Sequence, residues 1–387
     1  MTEKTMLEIG SERGKFDIPD GIAYFNTAYN APLLNSSRSA LLAAAGAKSR
    51  PWERSPDDFF ADANRLRNLA AGLFGGEEDG YAIIPAASYG VSTAARAIEP
   101  TLRTGDTILL LAEEFPSNVL PWRRVARETG SRIVSVPVPP DGDWTSAILA
   151  TLDKSVRVAA LANCHWTNGA RIDLVTISEA CRANGTALVL DATQSLGAVP
   201  LDIESVRPDF LVAAGYKWLL CPYGLGLMYV ARQWREARPL EEGWLARSNA
   251  HDFSRLVEYS DVYLPGARRF DVGETCATTI LPGAIEALEQ LSVWGVAQIG
   301  ESLAAINALI AERLTQLSFT VLPAQSRSPH MLGAQLPAGY SGDLLGQLRA
   351  HDVFVSQRGS SIRFAPHLHI TRADIERLFG ALDQILA

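Results

Sequence analysis

Six short runs in the middle of the chain are almost uninterrupted in apolar character: 106–112 (DTILLLA), 132–138 (RIVSVPV), 156–164 (VRVAALANC), 186–193 (TALVLDAT), 209–215 (DFLVAAG) and 224–231 (GLGLMYVA). A strand with one face in water alternates polar and apolar residues. A strand covered on both faces does not, so these runs predict buried strands of one sheet. Between them lie stretches of helical periodicity, such as 118–130 (NVLPWRRVARETG) and 173–185 (DLVTISEACRANG). Each closes on a glycine, as helices with a left-handed C-terminal cap do. This alternation predicts an α/β fold with a mainly parallel sheet covered by helices. Ligands of such sheets gather at the carboxyl ends of the strands. The residues that close the runs therefore matter most: Glu114 and Phe115, Thr167 and Asn168, Asp191 and Gln194, Tyr216 and Lys217.

Beyond residue 265 the texture changes to one long helical stretch, 282–317, followed by short strand patterns in FTVLPA, HMLGAQLP and VFVSQRGSSIRFAPH. This predicts a smaller α+β C-terminal domain. The expected division is an N-terminal arm over 1–20, a large domain over 21–265 and a small domain over 266–387, with a seam rich in Gly and Pro near YLPGARRFDVGE.

Composition narrows the function. The 35 basic and 43 acidic residues leave a net charge of -8, scattered rather than in runs, so neither nucleic acid nor an anionic membrane is an expected partner. The polar start and the absence of any run of about 18 apolar residues lead us to expect a cytoplasmic protein. The four cysteines lack metal-ligand spacing, and no metal site is expected.

The chain uses arginine for nearly all its positive charge. Only Lys4, Lys15, Lys48, Lys154 and Lys217 are lysines, and Lys217 sits in the apolar stretch AAGYKWLLC. A buried ammonium group is costly, so a lysine there is expected to lose its proton, find a partner or be chemically modified. Asp191 ends the apolar run ALVLD and delivers a carboxylate to the same sheet edge. An amine able to form a Schiff base and a carboxylate able to hold a protonated pyridine nitrogen are the two groups that pyridoxal phosphate (PLP) requires.

Six segments, PAASYG, EEFPSNVLPW, CHWTNG, VLDATQSLGAVPLD, AAGYKWLLCPYGLG and VSQRGSSIRFAPH, occur in an order that resembles the class V aminotransferase family of PLP-dependent fold type I enzymes. That group includes cysteine desulfurases, kynureninases and isopenicillin-epimerase-like proteins. The resemblance implies a seven-stranded, mainly parallel sheet in the large domain and a homodimer with shared active sites. It implies Lys217 as the catalytic lysine and Asp191 as the partner of the cofactor ring nitrogen. It places Ala87 and Ser88 in the phosphate loop, where the start of a helix suits an anion. Phe115 falls where many relatives have a histidine over the ring. Gln194 falls near the cofactor phenolate oxygen, and either Thr167 or Asn168 near the same oxygen or the substrate carboxylate. Tyr216 falls at a phosphate-binding position. Thr278 or Thr279 is the candidate phosphate contact from the partner subunit.

On the substrate side, Arg363 aligns with the arginine that grips the substrate α-carboxylate, a task suited to the guanidinium fork. Arg358 is expected to assist it or to bind a second acidic group, and Tyr29 to line the substrate pocket. The implied reaction is transamination of a small amino acid. Elimination by a C-S lyase or kynureninase-like enzyme, epimerisation, and PLP or amino-acid binding without turnover are the alternatives. Persulfide-forming desulfuration is disfavoured because no cysteine follows Cys276.

Overall fold

The computed structural model describes residues 6–386, so the first five residues of the expected arm lie outside it. Seven strands form the central sheet: β1 (Tyr81–Ile84), β2 (Thr107–Leu111), β3 (Arg132–Val136), β4 (Val156–Ala162), β5 (Ala187–Asp191), β6 (Phe210–Ala214) and β7 (Gly226–Val230). Their spatial order is β1-β7-β6-β5-β4-β2-β3. β2 to β6 pair in parallel, while β7 runs antiparallel to both its neighbours. Each of the six apolar runs contains one of these strands. The seventh, β1, has only four residues, too few for a run to stand out.

Parallel neighbours need a crossover, and here helices supply it on both faces. Helices Leu120–Thr129 and Leu174–Asn184 end at Gly130 and Gly185, both left-handed at φ 75°. The link from β6 to β7 contains no helix, so the chain turns back and β7 enters antiparallel. Lys217 lies in that tight link, at the carboxyl end of β6.

The long C-terminal helical stretch breaks at Gly295 (φ 84°) into Leu281–Trp294 and Val296–Gln316, bent by 77° to one another. No single helix among the described residues is long and apolar enough to cross a membrane. A four-stranded antiparallel sheet follows, in the order Ser356–Arg358, Ser361–Phe364, Leu332–Gln335, Thr320–Val321. The stretch just after the expected arm joins this region: Ala23–Tyr24 pairs with Val353–Phe354, and the Thr27 amide donates to Ala365 O at 3.0 Å. That pairing carries Ala28, Tyr29 and Asn30 to the edge of the central sheet's carboxyl end.

Candidate active site

Two adjoining cavities, of about 220 and 240 Å³, open at the carboxyl end of the sheet. Lys217, Phe115, Trp166, Gln194, Tyr216 and Tyr223 line both and so form the wall between them. The inner cavity ends on Asp191 and on Ala87 and Ser88, and the outer one on Arg358, Arg363 and Tyr29. Lys217 is 7% exposed. Burial lowers its pKa to about 8, against an opposing pull from Asp191 and with help from Arg363 and Arg358. Its Nζ stands 5.7 Å from the centre of the Phe115 ring and 5.6 Å from that of Tyr216. With a pKa near 8, roughly a tenth of this lysine is a neutral amine at pH 7, far more than for an exposed lysine, and that fraction is able to act as nucleophile or base.

Asp191 is the last residue of β5, and its Oδ1 accepts from the Thr193 amide at 2.9 Å, which fixes the carboxylate at the cavity floor. Ala87 and Ser88 of the same cavity open helix Ala87–Ile98, which has Ala86 as its N-cap, and no side chain caps it. The first amides of a helix have no partner within it, so those of Ala87 and Ser88 are available to a ligand. Gly90 lets this helix sit tight on the sheet: a Cβ there would lie 2.8 Å from side-chain atoms of Ile84 and Val212. An anion-binding helix end, a buried carboxylate and a low-pKa lysine in one cavity fit the phosphate, ring nitrogen and aldehyde of PLP.

Gln194 is held at both ends of its amide. Trp218 Nε1 donates to its Oε1 and its Nε2 donates to Ala28 O, each at 3.1 Å. The carboxamide orientation is thereby set, with one of its two N–H donors left for the cavities. Tyr216 packs against Tyr223 with the rings tilted by 36°, 4.3 Å between ring centres. Phe115 packs edge-on to Trp166 at 5.3 Å.

Arg363 is 1% exposed, in the middle of strand Ser361–Phe364. Its Nη1 donates to Trp166 O at 2.6 Å, its Nε is buried without a partner, and no carboxylate faces it among the described ion pairs. Burial, reinforced by Arg358, lowers its pKa to about 9. A buried cation without a counter-ion is costly, so the cavity is poised for an anion. Arg358 lies half-buried with its guanidinium 5.9 Å from the Trp166 ring centre.

Three expected residues lie outside both cavities. Thr167 Oγ1 is 2.7 Å from His165 Nδ1, and His165 Nε2 is 3.0 Å from Ala112 O. The carbonyl can only accept, so Nε2 carries the proton and the Thr167 hydroxyl donates to Nδ1. Asn168 shapes a turn instead: its Oδ1 accepts from the Ala170 amide, and its backbone O from Gly333. Trp166, one or two positions earlier in the same motif, is the residue that reaches the cavities. Thr278, in the turn before helix Leu281–Trp294, lines neither cavity of its own chain.

Glu114, which closes an apolar run in the sequence, is a wall residue of the inner cavity with no role implied by the family resemblance. Its pKa is raised to about 8, first by burial and further by Asp191, while the Phe115 amide at 2.7 Å opposes the rise. Glu114 Oε2 is buried without a partner. Cys164 also lines the inner cavity, but burial pushes its thiol up to about 12 and its Sγ donates to Gln194 O. It is a poor nucleophile.

The family model for Aminotransferase class-V matches residues 34–375. The isopenicillin N epimerase of Amycolatopsis lactamdurans is 26% identical over 343 residues, covering 82% of this chain and 84% of that protein. An uncharacterized aminotransferase of Bacillus subtilis (strain 168), YcbU, is 28% identical over 324 residues, covering 83% of this chain and 82% of that protein. Among solved structures, the cystine C-S lyase C-DES in complex with its reaction product cysteine persulfide aligns with a TM-score of 0.82 at 20% identity, covering 95% of this chain and 98% of that chain. The chain belongs to the class V aminotransferase family, whose cofactor is PLP.

Proposed function

From membership of a PLP-dependent family, we propose that this protein is an amino-acid aminotransferase in which Lys217 holds the cofactor. The observation that carries the reading is that Lys217 lines both cavities, one running to Asp191 and the helix at Ala87, the other to the unpaired guanidinium of Arg363. Ala87, Ser88 and Tyr216 would hold the phosphate, Asp191 the ring nitrogen, and Phe115 the ring face, with the Gln194 amide beside the phenolate oxygen. When bound, PLP supplies an electron sink for the pair released at the substrate Cα.

The protein's own part is positional and acid-base. Arg363 takes the α-carboxylate by charge-assisted hydrogen bonds, satisfying its buried fork. Carboxylate capture at one end and the lysine at the other leave the Cα proton facing the Lys217 amine. With its pKa near 8, that amine can take the proton and return it elsewhere. Phe115, which would cover the ring, has no proton to give. We further propose that the protein works as a homodimer in which Thr278 or Thr279 of one copy completes the phosphate site of the other.

Elimination of a good leaving group needs the same proton removal, and the likeness in fold to a C-S lyase makes it the second reading. The test begins with the visible absorption of lysine-bound PLP in the purified protein. If Lys217→Ala leaves that absorption unchanged, the cofactor assignment fails. Amino acids are then added one at a time. Conversion of the bound cofactor to its aminated form with release of a keto acid supports transamination. Release of ammonia and a β-substituent without that conversion supports elimination.

A further inference from the structure

Strands Ser356–Arg358 and Ser361–Phe364 form a hairpin closed by only Gly359 and Ser360, with Gly359 at φ 55°. A two-residue turn sets the register, pairing Ser356 with Arg363 and Arg358 with Ser361. Residues opposite one another, and those two further along, share a face of the ribbon. Arg358 and Arg363 are therefore diagonal neighbours on one face, about 7–8 Å apart at that register. Both line the outer cavity, and no aspartate or glutamate lines it with them. Neither arginine has a carboxylate partner among the described ion pairs.

Arg358 is not a loose surface charge. Its guanidinium stands over Trp166, and Nη1 donates to Gln357 O at 2.7 Å, so the fork is oriented before any ligand arrives. Arg358 also helps to lower the pKa of Arg363. Two coupled cations with no acid between them leave an excess of positive charge that a single α-carboxylate does not balance.

We propose that the amino acid bound here carries a second carboxylate on its side chain, held by Arg358 while Arg363 holds the α-carboxylate. This inference rests on the reading of the outer cavity as the amino-acid site. The substrate class is then the dicarboxylic amino acids, with Tyr29 at the rim covering the side chain.

The experiment uses the cofactor-loaded protein. L-aspartate, L-glutamate, L-alanine and L-norvaline are compared by their effect on the cofactor spectrum and by KM. Maleate, a dicarboxylate without an amine, and butyrate are compared by calorimetric titration. The dicarboxylates are expected to bind at least about tenfold more tightly than their monocarboxylate counterparts, the worth of one charged hydrogen-bonded pair. Arg358→Gln should collapse the ratio of dicarboxylate to monocarboxylate affinity towards one, and Arg358→Lys should restore part of it. Thermal unfolding of each ligand-free variant checks that it is folded. Equal binding of both classes by the wild type, or a ratio unmoved in Arg358→Gln, overturns the second carboxylate alone. If no amino acid perturbs the cofactor spectrum and neither acid binds, the amino-acid site itself is overturned, and this inference with it.

Discussion

Replacing Arg363 by methionine should stabilise the ligand-free protein while disabling it. The guanidinium is 1% exposed and faces no carboxylate among the described residues. Its pKa falls from 12.5 to about 9, and a drop of that size corresponds to roughly 5 kcal/mol against the charged form. Against this stands one charged hydrogen bond, from Nη1 to Trp166 O at 2.6 Å, worth about 1.5–3 kcal/mol. Methionine has a similar length and no charge, and it can fill an irregular site. The balance favours Arg363→Met by about 2 kcal/mol, which in a chain of this length is a rise in Tm of roughly 2–3 °C.

The assay is scanning calorimetry of the cofactor-free proteins, followed by calorimetry of the loaded proteins with an added amino acid. The order should reverse on loading with ligand, because only the wild type gains the carboxylate contact. Truncating one partner of such a buried pair costs on the order of 2–5 kcal/mol, or roughly 30-fold to several-thousand-fold in affinity. If ligand-free Arg363→Met instead melts several degrees below the wild type, the guanidinium is part of the fold's own stability. Arg363 is then a structural residue and does not wait for a ligand.

Three further outcomes are expected. His330 and His369 are fully buried with pKa values lowered to about 4, and His367 lies well below its ordinary value, in each case chiefly through burial. The unfolded chain takes up protons first, so their contribution is complete above about pH 6.5 and is lost as the pH falls towards 4. By pH 5 His330 and His369 together should cost on the order of 4 kcal/mol, read as a lower urea midpoint, and an unchanged midpoint between pH 7 and 5 would contradict this. Gly359→Val forces a branched residue to φ 55°, at about 1–2 kcal/mol, and should raise KM for the amino acid without releasing the cofactor; loss of cofactor instead would show that the hairpin supports the inner cavity. Asp191→Asn should lower kcat by about 10²–10³-fold with the cofactor still retained, and a loss under tenfold would remove Asp191 from the proposed chemistry.

Much of this molecule is legible in its residue order, because strands buried on both faces leave runs that need no partner to be recognised. Helix ends at Gly130 and Gly185 follow from the conformational freedom of glycine. Lys217 and Asp191 stand out since a charge closing an apolar run must have a use or a partner, and both line one cavity. What the residue order does not carry is which side chains around a motif turn inward. Trp166 rather than Thr167 or Asn168 reaches the cavities because the Thr167 hydroxyl binds His165 and the Asn168 amide closes a turn, in a loop that His165 Nε2 ties to Ala112 O and the Gly333 amide to Asn168 O. Nor could β1 be read from four residues whose burial depends on β7 lying beside them.

The sequence alone determined the α/β class, the strand runs and the chemical identity of the lysine and carboxylate, since these depend on local periodicity and on the cost of burying charge. Only the tertiary structure decided that Arg358 and Arg363 share one face, that Arg363 is buried without a counter-ion, and that Glu114 lines the same cavity as Asp191. The first follows from the register of a hairpin closed by two residues, and the other two from packing between segments far apart in the chain, where distance in sequence says nothing about distance in space.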